Sequence, residues 1–281
     1  MKKFIKTLLT FTIIILMLTT PKIVATGVKN GLVLWYKGLI PALLPYMIIG
    51  NIVIKSGIAN NTVYCVFSGL FFGYPSCAIN SILMINEGHL NKDNANFCIC
   101  AFNNVSPAFI IGYVCIGLYN KTSLILPILF LFYISLLLST VIIKLFLFKN
   151  CNMIFDTGTN YETSQKNILS SSILLAAKNI TLLAGYIILF SILSQYIIYI
   201  PYSRYFMPFF EVCTGIPFVS DNLPVVMSAL SFGGISGIFQ TFSVDTEGII
   251  SKKKYIYSKA ISGITGFLVT LFAVYVLKIL N

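Results

Sequence analysis

The sequence predicts an all-α, polytopic membrane protein built from two inverted repeats, each carrying a re-entrant helical hairpin. Composition is the first observation. Hydrophobic residues make up 57% and charged residues 10%, with a mean hydropathy of +0.90, where a typical soluble domain is about 25% charged. The second is charge spacing. Uncharged runs lie between Lys55 and Glu87, Asp93 and Lys121, Lys121 and Lys144, Lys178 and Arg204, Asp221 and Asp245, and Lys259 and Lys278. Nearly all reach the roughly 17–25 apolar residues that a spanning helix needs. The third is that "FFGYPSCAINSILMINEG" (71–88) and "SFGGISGIFQTFSVDTEG" (231–248) interrupt these runs in one manner. A β-barrel would instead show alternating segments of about ten residues.

Taken in order, residues 1–27 ("MKKFIKTLLTFTIIILMLTTPKIVATG") read as a first span or as a signal-like segment. Basic residues, an apolar core from Thr7 to Thr20 and small residues near Ala25 fit both descriptions. The first repeat covers 31–148: a helix near 31–50, a hairpin at about 64–90, a broken helix at 95–118 and a helix at 122–148. Residues 149–167 are the one extended polar stretch and read as the linker. The second repeat covers 168–281: a helix near 169–200, an interfacial segment at 202–215, a hairpin at about 222–250 and a helix at 254–280.

The two interruptions align with Gly73 on Gly233. Phe72 then meets Phe232, Ser76 meets Ser236, Glu87 and Gly88 meet Glu247 and Gly248, Asn80 faces Gln240, and Ser81 faces Thr241. Non-helical backbone in hydrocarbon leaves amide groups unsatisfied at several kcal/mol each, so it survives only inside protein or beside a water-filled cavity. Broken helices in corresponding places of two halves point to a transporter binding site. Free N–H groups at a helix start suit an anion. The hairpin tips, Gly73, Tyr74, Pro75 and Ser76 with Asn80, and Gly233, Gly234 and Ser236 with Gln240, are therefore candidate substrate contacts. The alternative is two ordinary spans kinked at packing glycines. If 222–245 spans the membrane, Lys252–Lys254 change sides.

"AFNNVSPAFIIG" (101–112) places Asn103, Asn104, Ser106 and Pro107 inside an apolar helix. Pro107 removes a donor and loosens the turn before it. The two amides then serve either helix–helix hydrogen bonding or substrate contact. Glu211, in "FFEVCTGIP", is an interfacial cap, a partner for a basic group, or a proton- or cation-coupling site.

The net charge of +11 is scattered at segment ends, where lysines reach headgroups, so it suits lipid and not nucleic acid. Seven cysteines, odd in number and mostly in apolar runs, argue against a disulfide framework. Cys98 and Cys100 form C-x-C without a second pair, so no metal site is expected. No nucleophile–base grouping or Walker motif is present in the sequence, which disfavours an enzyme and calls for no cofactor.

In this order, G-Y-P-x-x-A with a following Glu-Gly, "FNNVSPAFIIG", "EVCTGI", "SFGGISGIFQ" and Lys259 resemble the YlbJ family of sporulation integral membrane proteins, within the nucleoside-recognition (Gate) domain group. The resemblance runs from about residue 31 to the C-terminus. It carries motif positions at Gly73, Tyr74, Pro75, Asn103, Asn104, Pro107, Glu211, Gly233, Gly234 and Gln240. It implies a core like that of concentrative nucleoside transporters, and a location in the outer forespore membrane. The implied activity is movement of dipicolinic acid into the forespore, and partner membrane proteins are compatible with it. This chain departs from the family pattern G-Y-P-x-G-A-K at Cys77 and Ile79, and so lacks a lysine that could face an anion there. A nucleoside carrier of the Gate type and a non-transporting scaffold of a sporulation complex are the alternatives.

Overall fold

The structure is a computed structural model that describes residues 2–56, 62–149 and 167–276. Residues 150–166, nearly all of the expected linker, lie outside the described residues. The described chain is helical, with no strand. Five helices are long and apolar enough to cross a membrane, or six if one bent pair counts as a span. The protein is a multi-pass helical membrane protein.

Helix α1 (Lys2–Thr19) meets α2 (Pro21–Val33) at a sharp corner, with Phe11–Thr19 and Pro21–Leu39 at 96° to one another. Thr20 is non-helical, and Pro21 sits at the first helical position, where its missing N–H is no loss. A π-helical stretch, Leu34–Leu39, carries α2 into α3 (Ile40–Lys55). Helices in lipid gain little from burying apolar surface against each other, so close packing at small residues holds them. Gly27 and Gly31 do this here: a Cβ on them would lie 2.5 Å from the Ile192 Cα and 2.8 Å from the Ile188 Cα. The segment around Ala25 is thus part of a packed helix. Further along, Trp35 Nε1 donates to Ile180 O at 2.9 Å and Asn51 to Ser172 O at 3.2 Å. α2–α3 therefore runs antiparallel to α9 (Ile168–Ile197).

α4 (Thr62–Phe71) and α5 (Ser76–Asn86) fold back on each other at residues 72–75. Cys65 Sγ lies 3.2 Å from Met84 Sδ, 19 residues away, where a straight helix would separate them by ~28 Å. α6 (Lys92–Phe102) starts at Asn91, whose side chain accepts from Asn94 N at 2.8 Å. It breaks over 103–106 and resumes as α7 (Pro107–Phe109), which runs into π-helical Ile110–Leu118. α8 (Ile125–Leu147) returns beside α6, with the Phe97 and Phe148 rings 5.5 Å apart.

In the second half the expectation and the structure part company. α10 (Ser203–Phe210) and α11 (Val212–Gly215, followed by a 3-10 turn Ile216–Val219) fold back at Glu211. A Cβ on Gly215 would lie only 2.2 Å from Pro208 N, so the two arms touch through backbone. The supposed interfacial segment is the second fold-back. The hairpin placed at 222–250 is instead a kinked span: α12 (Leu223–Phe232) and α13 (Gly234–Ser243) continue in one direction from Leu223 to Ser243. Contacts with α14 (Lys252–Tyr275) step along it in order. Thr241 meets Tyr255, Phe232 meets Gly263, and Met227 meets Gly266. Gly233, at φ +81°, and Gly234, at φ +72°, bend the span without reversing it. Lys252–Lys254 accordingly follow a crossing, the alternative left open by the sequence. α8 and α14 also run antiparallel: Lys254 Nζ stands 4.3 Å over the Phe148 ring, and Ala273 packs at the Ile128 end.

Candidate functional site

Four interruptions of the helices meet at one place. Backbone contacts tie them together in pairs. Tyr74 N donates to Asn104 O at 2.6 Å, joining the first hairpin tip to the break in α6–α7. Gly73 has φ +79°, and a Cβ there would lie 2.8 Å from Ser106 N. The Tyr74 ring lies on the kinked span, 3.0 Å from where a Cβ on Gly237 would stand. Gly234 in turn packs on Val212 and Phe210 O, at the second fold-back. Tyr113, in the π-helical stretch after α7, donates to Cys213 O, which closes the ring to α11.

Around this junction lies a cavity of about 660 Å³, within the ~300–1,000 Å³ usual for small-molecule sites. Of the residues singled out in the sequence, Gly73, Tyr74, Ser106, Glu211, Ser236 and Gln240 line it. Ser236 and Gln240 are 2% and 7% exposed, yet neither side chain makes a hydrogen bond among the described residues. Both belong to α13, whose first turn follows Gly233 and has no side-chain cap. Unspent donors therefore face the cavity from one helix, Ser236 in its first turn and Gln240 further along.

Glu211 also lines the cavity, but its carboxylate is committed. Oε1 accepts from Cys213 N at 3.1 Å and Oε2 from Thr214 N at 2.6 Å, capping α11. The helix dipole and two amides offset its charge. It thus serves as a helix cap, one of the three roles weighed for it. No ion pair reaches it among the described residues; Arg204 pairs with Asp221 instead, at 3.8 Å on the exposed surface.

The other singled-out residues do not line the cavity. Pro75 and Ser76 begin α5, Asn80 packs against Gly50, Pro107 opens α7, and Gly233 and Gly234 form the kink. Asn103 and Asn104 lie behind the break. Asn103 Nδ2 donates to Thr241 Oγ1 at 2.9 Å and to the Tyr255 hydroxyl at 3.0 Å. Asn104 Nδ2 donates to Ala101 O at 2.9 Å, and its Oδ1 accepts from Lys259 Nζ at 2.8 Å. Lys259 also donates to Asn103 O. These amides serve helix–helix bonding, the first of the two roles considered for them.

Sequence inspection missed Lys37, which among the described residues brings the only basic side chain to the cavity lining. It sits in the π-helical stretch, and its one visible signal is its isolation in the apolar run between Asn30 and Lys55. Cys213, Thr214, Ser191 and the rings of Phe72, Phe109 and Phe190 are also part of the wall. No known protein family, curated protein or solved structure matches the chain.

Proposed function

We propose that this chain is a secondary carrier, and not an enzyme, for a small organic anion, with dipicolinate as its substrate in sporulation and the outer forespore membrane as its location. One observation carries the reading: four helix interruptions surround a single cavity that offers Lys37 and the unspent Ser236 and Gln240 groups. A planar aromatic dianion suits this wall. One carboxylate meets the Lys37 ammonium and the other the α13 amides, while Phe109 and Phe190 cover its ring. Charge-assisted bonds of this kind contribute about 1.5–3 kcal/mol each.

In this reading α3–α8 and α9–α14 are inverted repeats. The fold-backs α4–α5 and α10–α11 correspond, as do the broken spans α6–α7 and α12–α13. The antiparallel pairing of α8 with α14, and of α3 with α9, supports it. Partner membrane proteins would dock on the lipid-exposed faces.

A nucleoside carrier is the second reading, favoured by the Glu211 carboxylate in the same cavity as the Gln240 amide. Uptake of labelled dipicolinate by liposomes holding the purified chain separates the two. Saturable uptake that unlabelled dipicolinate suppresses and uridine does not is the expected result. Uptake of uridine alone would establish the nucleoside reading, and uptake of neither would leave the scaffold.

A further inference from the structure

Lys259 is 1% exposed in the middle of the fold, and its partners are two neutral oxygens, Asn103 O and Asn104 Oδ1. It belongs to α14 and does not line the substrate cavity. The ionisable groups that face it are Tyr255 on its own helix, with the ring centroid 5.4 Å from Nζ, Cys77 on α5 and Cys100 on α6. None is a carboxylate. Serine hydroxyls are presented instead: Ser135 and Ser139 from α8, Ser231 from α12 and Ser262 from α14 itself border a narrow gap, too tight to hold water, that reaches Asn104, the acceptor of the Lys259 bond. Among the described residues, Ser231 Oγ and Ser262 Oγ are buried there without a hydrogen-bond partner. Ser262 lies one helical turn from Lys259, on the same face.

A buried hydroxyl left unpaired costs about 1–3 kcal/mol, and two of them beside a buried amine are a costly arrangement for packing alone. Ionisable groups at membrane depth usually mark proton or ion pathways. Lysine, unlike arginine, exchanges its proton when buried. We propose that Lys259 is the proton-carrying group of the transporter, with the serine cleft as its proton path, separate from the substrate cavity. This rests on the carrier reading above. The step is a proton transfer alone. An Nζ–H bond breaks, each hydroxyl of the path accepts a proton while giving up its own, and the proton ends on water at one side; the neutral amine later takes a proton from water on the opposite side. Communication with the cavity is short. Lys259 holds Asn104, Asn104 O accepts from Tyr74 N, and Tyr74 lines the cavity. Loss of the ammonium turns its two charge-assisted bonds into weaker neutral ones, which loosens the break at 103–106 and with it the first hairpin tip.

The test uses the full chain in liposomes with labelled dipicolinate as the probe. Accumulation is read as a ratio, with an imposed pH gradient over without one. The expected ratio is several-fold for the wild type. It falls to one in Lys259→Gln, and also in Lys259→Arg, which keeps a charge that does not come off. Ser231→Ala with Ser262→Ala lowers it while leaving Lys259 in place, so the cleft is tested even if the lysine variants fail to fold. A wild-type ratio of one, or variants that match a several-fold wild type, overturns the proton role and leaves the carrier standing. Absence of dipicolinate exchange by the wild type overturns the carrier reading and this coupling together.

Discussion

Gly215→Ala is expected to unfold the second fold-back and abolish transport. The new methyl would stand 2.2 Å from Pro208 N and 2.3 Å from the Met207 carbonyl carbon. Both are backbone atoms, so no side-chain rotation relieves the overlap. Overpacking in a well-packed site costs about 1–3 kcal/mol when neighbours can shift, and here the neighbour is the other arm of the hairpin. The Met207–Pro208 backbone must separate from α11, which displaces Glu211 and its two amide bonds. We expect a loss of at least about 3 kcal/mol, read as a large fall in the melting temperature of the detergent-solubilised protein. Gly185→Ala is the control. A Cβ there meets nothing within 4 Å, and that variant melts as the wild type does.

Lys37→Gln is expected to reduce dipicolinate uptake up to about fivefold in kcat/KM, the loss of one exposed ion pair of up to about 1 kcal/mol. Among the described residues the ammonium is the only cation on the cavity wall, while Glu211 is already offset by the α11 amides. Removing it leaves an anion facing neutral donors and one carboxylate. Lys37→Arg should restore most of the rate, since guanidinium pairs well with carboxylate. Equal rates for wild type and Lys37→Gln would show that the anion does not contact this wall.

Much of this design is visible in the chain itself. Gly73 with Pro75, Asn103 to Pro107, and Gly233 with Gly234 each stand out in apolar surroundings, and each marks a true interruption. Their positions follow from backbone chemistry, because a positive φ or a missing N–H is written in the residue type. The direction taken after each break is not written there. The aligned segments 71–88 and 231–248 share a positive-φ glycine and a following short helix. One reverses the chain and the other only kinks it. The difference is tertiary: α4 meets α5 through Cys65 and Met84, whereas Gly263 and Gly266 let α12 lie along α14. The second fold-back was hidden for a related reason. Pro208 and Gly215 matter only once they touch, and their spacing does not announce the contact. Asn103 and Asn104 look like a ligand site because two adjacent amides in an apolar helix need partners. Thr241, Tyr255 and Lys259 supply them from more than 130 positions away. Lys37 was obscured by its place at the end of an uncharged run.

Cys213 offers the most direct measurement of the central claim, that the cavity among the four interruptions holds the substrate. It lines that cavity, and the other described cysteines are buried. Its alkylation by N-ethylmaleimide, followed by mass spectrometry of the Cys213 peptide, reports whether the cavity is filled. Saturating dipicolinate should slow modification at Cys213 several-fold and relieve that protection in Lys37→Gln. An unchanged rate at Cys213, with dipicolinate still taken up, would place the substrate elsewhere and contradict the account.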